Sequence, residues 1–302
     1  MAAISRAQLM KELLPGLNGL FGLEYKRYAE EHRDIFSIEK SDRSFEEEQK
    51  LSGFGAAPVK TEGNGITYDT AQEAFTSRYT HETIALGFAL TEEAVEDNLY
   101  DSLSARYTKA LARAMAYTKQ VKAAGVLNNA FNSSYLGGDG VVLCSTAHPT
   151  VRGSTNSNRP TVASDLNETS LEAANIQIAG WTDERGLLIA AKTKKLILPE
   201  ALKFVAHRLL KTEARPGTAD NDTNALKDMG VVSGWSINHW LTDTNAWFIT
   251  TDVPNGLKMF ERAALKTGLD GDFETGNVRY KARERYSFGW SDPLAIWGSP
   301  GA

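Results

Sequence analysis

Hydrophobic and polar side chains alternate along the stretch NVRYKARERYSFGW near the C-terminus. Side chains of a β-strand point to opposite faces in turn, so this alternation predicts one strand with two different faces. One face is basic and the other is mainly aromatic, with Glu284 as the exception on the aromatic side. The basic ladder consists of Arg279, Lys281, Arg283 and Arg285, and the opposite face of Tyr280, Ala282, Tyr286, Phe288 and Trp290.

A second pattern, with apolar residues four positions apart, runs from Thr91 to Phe131. It predicts one helix of about 40 residues, roughly 60 Å long at a rise of 1.5 Å per residue. Thr91 suits the N-cap, and two glutamates follow it at the positive end of the helix dipole. Because the stripe is not a strict heptad, we expect a sheet beside this helix rather than a coiled coil. The predicted stripe contains Val95, Leu99, Leu103, Tyr107, Ala110, Leu111, Ala114, Met115, Tyr117, Val121 and Ala124.

Residues 43–90 have the pattern of a long β-hairpin with a flexible tip. The first limb is acidic, with Glu46, Glu47 and Glu48 in succession. The tip is rich in Gly and Pro and has almost no large apolar residue except Phe54, so it cannot fold onto a core of its own.

The second limb of this hairpin is predicted to open at Ile66 and Tyr68. Farther along the chain, the apolar residues change parity between Tyr79 and Ile84. A strand cannot move its apolar side chains to the other face without an extra residue, so a bulge or break is predicted near residues 80–83.

Residues 1–36 are at best amphipathic. Pro15 and three glycines, Gly16, Gly19 and Gly22, predict that no long helix forms there. The apolar residues of this stretch need cover, which either the rest of the chain or a neighbouring molecule can supply, and the pattern favours neither. They are Leu13, Leu14, Leu17, Leu20, Phe21 and Leu23.

The central part of the chain predicts a compact α+β unit of about 110 residues. One helix has a capping box at Thr169 and Glu172, and a second amphipathic helix follows Pro199. The stretches GLLIAA, KKLILP and GVVSGWSINHWLTDTNAWFITTDV predict strands. The two helices present apolar faces made of Leu171, Ala174, Ile178 and Trp181, and of Leu202, Val205, Ala206, Leu209 and Leu210.

Composition and charge exclude several classes of protein. The net charge of −5 disfavours a protein whose main task is to grip nucleic acid. Cys144 is the single cysteine, so no disulfide forms within the chain and a reducing compartment is expected. No apolar run approaches 18 residues, so no transmembrane helix and no membrane partner is expected. The N-terminus lacks the features of a secretory signal.

No catalytic, cofactor-binding or metal-binding constellation is predicted, so the chain is not expected to be an enzyme. Cys144 and His148 are four residues apart, but a structural role is favoured because no second cysteine exists. The run Asp220, Asp222 and Asn224 begins like a calcium loop but lacks its glycine and closing glutamate. Asp270, Asp272 and Glu274 are interpreted as a solvated turn.

The order of these elements resembles that of the major capsid proteins of tailed phages, which have the Hong Kong 97-type fold, and most closely that of the Mu-like major head subunits. The stretches that carry the resemblance are AMAYTKQVKAAGVLNNAF, LCSTAHP, KKLILPEALKFVAHRLLKT, INHWLTDTNAWFITTD and RERYSFGWSDPLAIWGSPGA. No single stretch is as specific as a metal motif, so the resemblance rests on their order along nearly the whole chain.

The resemblance implies an α+β fold divided into four parts. Residues 1–40 are expected to form an N-terminal arm, 41–85 an extended hairpin loop, 86–135 and 255–302 a peripheral domain with the long spine helix, and 136–254 an axial domain. A subunit built in this way is a thin tile, which explains a helix longer than a domain diameter.

The resemblance also implies a structural function without cofactors. Hexamers and pentamers of this chain are expected to form an icosahedral shell around phage double-stranded DNA, bound without sequence specificity. Because Met1 leads straight into the arm, the resemblance implies either a separate scaffold protein, which is the expected partner, or no scaffold at all. A portal and a decoration protein are further expected partners. The expected location is the virion, after assembly in the cytoplasm of the bacterial host.

In the same family the extended loop lies over the peripheral domain of the adjacent subunit. We therefore hypothesise that at least one of the three hairpin glutamates pairs with the basic ladder across a subunit boundary. Solvated charges on both surfaces are the alternative. The predicted contact set is Glu46, Glu47, Glu48, Phe54, Lys60, Arg279, Lys281, Arg283 and Arg285.

Two other functions remain open at this point. An encapsulin-type nanocompartment has the same fold but encloses a protein cargo. A soluble hydrolase with an unrecognised site is the other, although its active-site residues are missing from the sequence and its hairpin has no evident use.

Overall fold

A computed structural model describes residues 6–91, 93, 100–214, 223–272 and 276–302. The helices are α1 (Arg6–Arg27), α2 (Tyr100–Asn128), α3 (Glu168–Ala179), α4 (Lys203–Lys211) and α5 (Ala225–Asp228). The strands are β1 (Ser37–Lys40), β2 (Phe45–Leu51), β3 (Glu73–Thr80), β4 (Glu82–Leu90), β5 (His148–Pro149), β6 (Thr155–Asn156), β7 (Thr193–Leu198), β8 (Gly234–Ile237), β9 (Trp247–Thr251), β10 (Leu257–Gly271), β11 (Val278–Trp290) and β12 (Ile296–Ser299).

The first four-stranded sheet has the order β1-β10-β11-β4 and contains the predicted C-terminal strand as β11. The alternation of its two faces is confirmed: Tyr280, Ala282 and Glu284 are buried, whereas Arg279, Lys281 and Arg283 are exposed. β10 and β11 pair antiparallel along almost their whole length, and β4 pairs antiparallel with the other side of β11. The basic ladder therefore lies on the face of this sheet that is opposite to α1 and α2.

The predicted long helix is present as α2, whose 29 described residues span about 43 Å. Residues 92 and 94–99 lie outside the described part of the chain, so the predicted start at Thr91 is not settled there. Leu111 and Met115 of the predicted stripe are buried against the first sheet, as expected. Tyr107, Ala110, Tyr117 and Val121 are exposed, which corrects that part of the stripe.

The buried face of α2 is rotated toward positions that the apolar pattern does not mark. It includes small residues and four polar ones, Ser104, Thr108, Lys119 and Gln120. Lys119 pairs with Glu284, and the Gln120 side chain accepts a hydrogen bond from His32 N. Polar residues at buried positions cannot be recognised by a search for apolar side chains. For this reason the predicted stripe includes exposed tyrosines instead of these buried polar residues. The additional buried positions are Ser104, Thr108, Ala112, Ala116, Ala123 and Leu127.

The prediction that residues 1–36 form no long helix is wrong. α1 runs for 22 residues through Pro15 and the glycines. Proline lacks the N–H of a helical hydrogen bond, and glycine adds conformational entropy to the unfolded chain, so both lower local helix stability. Burial of Leu17 and Phe21 between α2 and the first sheet compensates for that loss. Leu17 and Phe21 are thus covered by other parts of the same chain, which is one of the two alternatives that the sequence left open. Leu23, in contrast, is exposed.

The hairpin consists of β2 and β3, which pair antiparallel with each other and with no other strand in the part of the chain that the structure describes. Its second limb begins at Glu73, which corrects the prediction that Ile66 and Tyr68 open it. Residues 52–72 form no strand, and two glycines there have positive φ values, 66° at Gly53 and 81° at Gly63. The predicted break near residues 80–83 is confirmed at His81, where the chain leaves the hairpin for the first sheet.

The second four-stranded sheet has the order β12-β9-β7-β8 and packs against α3 and α4 around Trp247 and Trp297. The predicted apolar faces of both helices contribute to this core. β8 pairs with β7 in parallel and β9 pairs with β7 antiparallel. β7 therefore separates the two strands that form within the stretch GVVSGWSINHWLTDTNAWFITTDV. The last strand of the chain, β12, completes this sheet through β9.

Two local predictions in this region are wrong. α3 is capped by Asn167 and Ser170, not by Thr169 and Glu172, because the Asn167 side chain accepts a hydrogen bond from Ser170 N at 2.8 Å. GLLIAA forms no regular strand: Leu188 makes only an isolated bridge, and Ala190 has a positive φ of 54°. A positive φ costs a residue with a Cβ atom conformational energy and interrupts the extended backbone.

Candidate inter-subunit surfaces

One face of the hairpin, which we call the inner face, points toward the body of its own chain and is charged rather than apolar. Glu46, Glu48 and Lys50 alternate on β2 and lie opposite Tyr79, Ser77 and Phe75 of β3. All three charged residues are half-buried. Because a buried charge is stable only with a partner, each of them needs a counter-charge or hydrogen-bond donor from the body.

Lys50 of the inner face pairs with two carboxylates of the body. Its ammonium lies 3.0 Å from Glu184 and 2.9 Å from Asp292, which belong to two distant segments. Burial alone would lower the pKa of Lys50, but the carboxylates of Asp292 and Glu184 outweigh burial and raise that pKa above its ordinary value. Lys50 thus remains charged and joins the hairpin to both segments.

Glu48 pairs with Lys258, a buried residue of β10 that also binds Glu39 of β1 at 3.0 Å. The second oxygen of Glu48 accepts from Ser291, which in turn bonds Tyr79. Burial favours the neutral form of Lys258, yet the hydrogen bonds that its ammonium donates to Glu48 and Glu39 raise the pKa of Lys258. Glu48 is therefore already occupied within its own chain.

The root of the hairpin is joined to the first sheet by a small polar network. Ser41 donates to Glu46 at 2.7 Å and lies 2.9 Å from His81 Nε2. His81 Nδ1 lies 2.9 Å from the hydroxyl of Ser287 in β11. Burial lowers the pKa of His81, and Arg285 lowers it further. Glu46 is thus engaged inside the chain as well.

Glu47 is the one predicted hairpin glutamate on the outer, exposed face. Its nearest charged partner is Arg78 on the neighbouring strand, 3.7 Å away, and both side chains are largely exposed. Exposed pairs of this kind contribute only about 0.2–1 kcal/mol each. Glu47 therefore remains available to another molecule.

The residues of the basic ladder differ in their partners. Arg279 pairs with Asp272 at 2.5 Å within the chain. Arg283 lies opposite Lys266 of β10 and Ala85 of β4, so a second cation and a small residue flank it. Lys281 has Gly268 and Gly87 as its neighbours in register. The ladder is thus a positively charged strip, and its neighbours on β4 are residues with very small side chains.

The hairpin tip exposes more apolar surface than the sequence prediction, which singled out Phe54, had indicated. Phe54 is 62% exposed, and Val59 and Tyr68 are 93% and 87% exposed. Lys60, the other predicted contact residue of the tip, is exposed too. The complete set of large exposed apolar residues at this end of the hairpin is Leu51, Phe54, Val59, Ile66 and Tyr68. Large apolar surface exposed to water is typical of surfaces that bind another molecule.

An exposed ion pair joins the tip to the body of its own chain. Asp69 binds Arg185 through both carboxylate oxygens at 3.0 Å and also accepts from Gly55 N. The pKa of Asp69 lies below its usual range, first because of the backbone N–H of Gly55 and then that of Thr70, with a smaller effect from Arg185.

The residues considered for catalysis are engaged in packing. Cys144 is fully buried, and burial raises the pKa of its thiol. The two ring nitrogens of His148 lie 2.6 Å from Asp139 and 3.0 Å from Asn158, so the interpretation of His148 as a structural residue agrees with its contacts. Within the described ranges no group of three or more His, Cys, Asp or Glu side chains is placed to hold a metal ion.

Comparison of the sequence with a family model described as "Phage capsid protein" gives a match over residues 73–298. A sequence comparison with curated proteins gives no match. None of the helices in the described part of the chain is long and apolar enough to cross a membrane.

Several solved shell structures share this fold at low sequence identity. A virus-like particle from Pyrococcus furiosus is 12% identical, with a TM-score of 0.57 over 95% of this chain and 99% of that chain. The capsid of an empty GTA particle is 16% identical, with a TM-score of 0.56 and 89% coverage of both chains. The capsid of cyanophage P-SCSP1u is 11% identical, with a TM-score of 0.59 over 89% of this chain and 87% of that chain. These likenesses show the mixed α+β fold of capsid subunits, and the family match over most of the sequence shows that this chain belongs to the phage capsid protein family.

Proposed function

We propose that this capsid protein is the major head subunit of a tailed phage and that it assembles as hexamers and pentamers into an icosahedral shell around double-stranded DNA. The observation that carries this proposal is the hairpin, whose tip exposes five large apolar residues to water. An isolated subunit gains nothing from that exposure, whereas a neighbouring subunit can bury it. The net charge of −5 suits a container that holds DNA without gripping it.

The finer features of the resemblance belong to the same proposal. The fold is of the Hong Kong 97 type, with an arm at 1–40, an extended loop at 41–85, an axial domain at 136–254 and a peripheral domain from the remainder. The Mu-like group is the proposed nearest relative. The pairing of β12 with β9 supports moving the end of the chain from the peripheral to the axial domain.

The proposed role is structural rather than enzymatic. The proposed partners are other copies of this chain, a scaffold protein, a portal and a decoration protein, with assembly in the bacterial cytoplasm. An encapsulin-type shell is the alternative with the same fold. Purified shells that contain one cargo protein in fixed stoichiometry, and no DNA, would favour that alternative.

We expect the purified chain, alone or with its scaffold protein, to form closed particles at high concentration. Negative-stain and cryo-electron microscopy would show hexamers and pentamers in the shell. Size-exclusion chromatography separates this result from that of a soluble hydrolase, which runs as a small oligomer. Only discrete monomers or dimers under all these conditions would contradict the proposal.

Glu47 is the proposed inter-subunit partner of the basic ladder, because Glu46 and Glu48 already have partners in their own chain. Glu47→Lys should reduce assembly several-fold in low salt, where charges are least screened. The monomer should stay folded because Glu47 is exposed. The yield of shells, measured by light scattering and sedimentation, reports the effect. The small energy of one exposed pair, about 0.2–1 kcal/mol, is repeated at every subunit boundary.

A matched control is Glu172→Lys, which makes the same charge change at an exposed position of α3. Arg283→Glu should restore part of the yield when it is combined with Glu47→Lys, because the two charges are exchanged. If Glu47→Lys assembles as well as the Glu172→Lys control in low salt, Glu47 does not pair with the ladder.

A further inference from the structure

The exposed face of α2, on the side of the helix away from the first sheet, carries positive charge only. Arg106, Lys109 and Arg113 are exposed there, at intervals of three and four residues that place them on one side of the helix. Tyr117 continues the line one turn farther on and is 53% exposed. The exposed Ala110 lies among them. We call Arg106, Lys109, Arg113 and Tyr117 the basic row of α2.

The helix and the loop after it supply no acidic residue to balance this row. Residues 102–138 contain five lysines and arginines and no aspartate or glutamate. Two of the five are engaged inside the subunit, Lys119 with Glu284 and Lys122 with Glu82. The three cations of the basic row form no ion pair with any residue in the part of the chain that the structure describes.

This arrangement of charges does not favour the helix itself. Like charges three or four residues apart destabilise a helix, and both spacings occur in the basic row. Exposed helices commonly alternate acidic and basic residues, which makes the same spacings attractive. A glutamate in place of Lys109 would achieve this with one change. The basic row is therefore suited to a negatively charged partner rather than to the stability of α2.

We infer that the basic row of α2 binds the phosphate backbone of double-stranded DNA and that this face of the subunit points into the lumen of the shell. The three cations lie about 4.5 and 6 Å apart along the helix axis, at a rise of 1.5 Å per residue. Duplex DNA carries one negative charge per about 1.7 Å of its axis, so each cation can meet a phosphate. Tyr117 adds a hydroxyl donor, and Ala110 leaves room for the backbone to approach. The inference rests on the proposed shell function, because the enclosed DNA supplies the phosphates.

The side chains of the row distinguish DNA from an acidic protein as its partner. The row has long cationic side chains, a tyrosine and a small alanine, and no large aliphatic side chain is exposed along it before Val121. The core of a protein interface is mainly apolar, whereas contacts to phosphates need only cations and hydrogen-bond donors. Three cations per subunit make a weak contact that salt disrupts, which agrees with the net charge of −5.

The salt dependence of DNA binding tests the inference on the unassembled subunit. Fluorescence anisotropy with a labelled duplex of mixed sequence, between about 50 and 200 mM salt, gives the slope of log K against log salt concentration. The triple variant Arg106→Gln, Lys109→Gln, Arg113→Gln should make that slope shallower by about 2.7, because each lost phosphate contact removes about 0.9. Binding at low salt should weaken at least about tenfold. Each single substitution should change the slope by about 0.9, which keeps the test valid if the triple variant misfolds.

A matched control removes three exposed cations from the second unit, by Lys192→Gln, Arg208→Gln and Lys211→Gln. This control should keep the slope of the natural chain. Equal changes in the control and in the triple variant of α2 would overturn the inference, because binding would then follow net charge alone. Absence of DNA binding by the natural chain at low salt would also overturn it. Poly-glutamate that competes as well as DNA, at equal concentration of charge, would overturn it in favour of an acidic protein.

Microscopy of assembled particles separates this inference from the proposed function. Closed shells with the basic row of α2 on the lumenal surface would support both. Closed shells with the basic row on the outer surface would overturn the inference while the proposed function stands. Failure of the natural chain to form shells under any condition would overturn both.

Discussion

Replacing Lys119 by methionine should lower the free energy of unfolding of the unassembled subunit by about 3–5 kcal/mol, because it leaves a buried carboxylate without its partner. Lys119 on α2 lies 2.5 Å from Glu284, the one charged residue on the buried face of β11. Glu284 is 1% exposed, and Tyr25 of α1 adds a hydrogen bond at 3.5 Å. The pair therefore joins α1, α2 and the first sheet.

The pKa shifts of Glu284 and Lys119 predict that this loss of stability depends on pH. Burial raises the pKa of Glu284, and Lys119 offsets part of that rise. Burial alone would lower the pKa of Lys119, but Glu284 keeps it above its ordinary value. Without Lys119, the pKa of Glu284 should rise further. Protonation then removes the unpaired charge, so the loss of stability in Lys119→Met should shrink as the pH falls.

Urea denaturation of the subunit at several pH values measures both effects. The double variant Lys119→Met with Glu284→Gln should recover most of the lost stability, since it leaves no buried charge. Lys203→Met is the matched control, because Lys203 forms an exposed pair with Glu200 and its loss should cost less than about 1 kcal/mol. Equal losses for Lys119→Met and Lys203→Met would show that the buried pair contributes nothing specific.

The sequence pattern predicts the features that a single element determines. The alternation along β11 reports its two faces directly, because a strand has a period of two. The break at His81 follows from the change of parity between Tyr79 and Ile84. Both predictions are confirmed without knowledge of any other element. The general position of the long helix is predicted equally well by its four-residue spacing, as far as the described residues reach.

Features that depend on distant partners could not be predicted. α1 continues through Pro15 because Leu17 and Phe21 pack on residues nearly a hundred positions or more away. The charged inner face of the hairpin looks like a solvated limb until Lys258, Glu184 and Asp292 are placed beside it. The position of β4 at the end of the first sheet, among the residues that the structure describes, is likewise a property of the sheet order and not of its own sequence.

The proposed set of inter-subunit contact residues also becomes narrower once distant partners within the chain are known. The sequence supplied three equivalent glutamates, and the structure distinguishes Glu47, on the outer face, from Glu46 and Glu48 on the inner face. It also distinguishes Arg279, which is paired with Asp272, from Arg283, which lies beside Lys266 and Ala85. Experiments on the subunit boundary should therefore begin with Glu47 and Arg283.

The second prediction with a large effect concerns the stability of the unassembled subunit at acid pH. Burial lowers the pKa of His32 from 6.5 to about 4, and Glu30 offsets only part of that shift. His32 is 1% exposed beneath α2, where Gln120 Nε2 lies 3.1 Å from Nδ1 and donates to it in the neutral form. The ring also packs edge-on against Phe288. Protonation would break the hydrogen bond from Gln120 and place a positive charge at a buried position near the cations of Lys119 and Arg33.

Because the pKa of His32 is lower in the folded chain than in the unfolded chain, the unfolded chain binds the proton first as the pH falls. The stability due to neutral His32 is fully present above about pH 6.5 and is lost progressively down to about pH 4. A shift of this size corresponds to about 3 kcal/mol. We expect the unassembled subunit to lose that much stability across this range, in addition to the effects of other groups.

Those other effects cancel when the variant His32→Gln, which cannot be protonated, is measured beside the natural chain. The difference in slope of unfolding free energy against pH, rather than the absolute stability, isolates His32. Parallel curves for the two proteins between pH 6.5 and 4 would mean that His32 is protonated as readily in the folded subunit as in water, and the contact with Gln120 would then have to be reassigned.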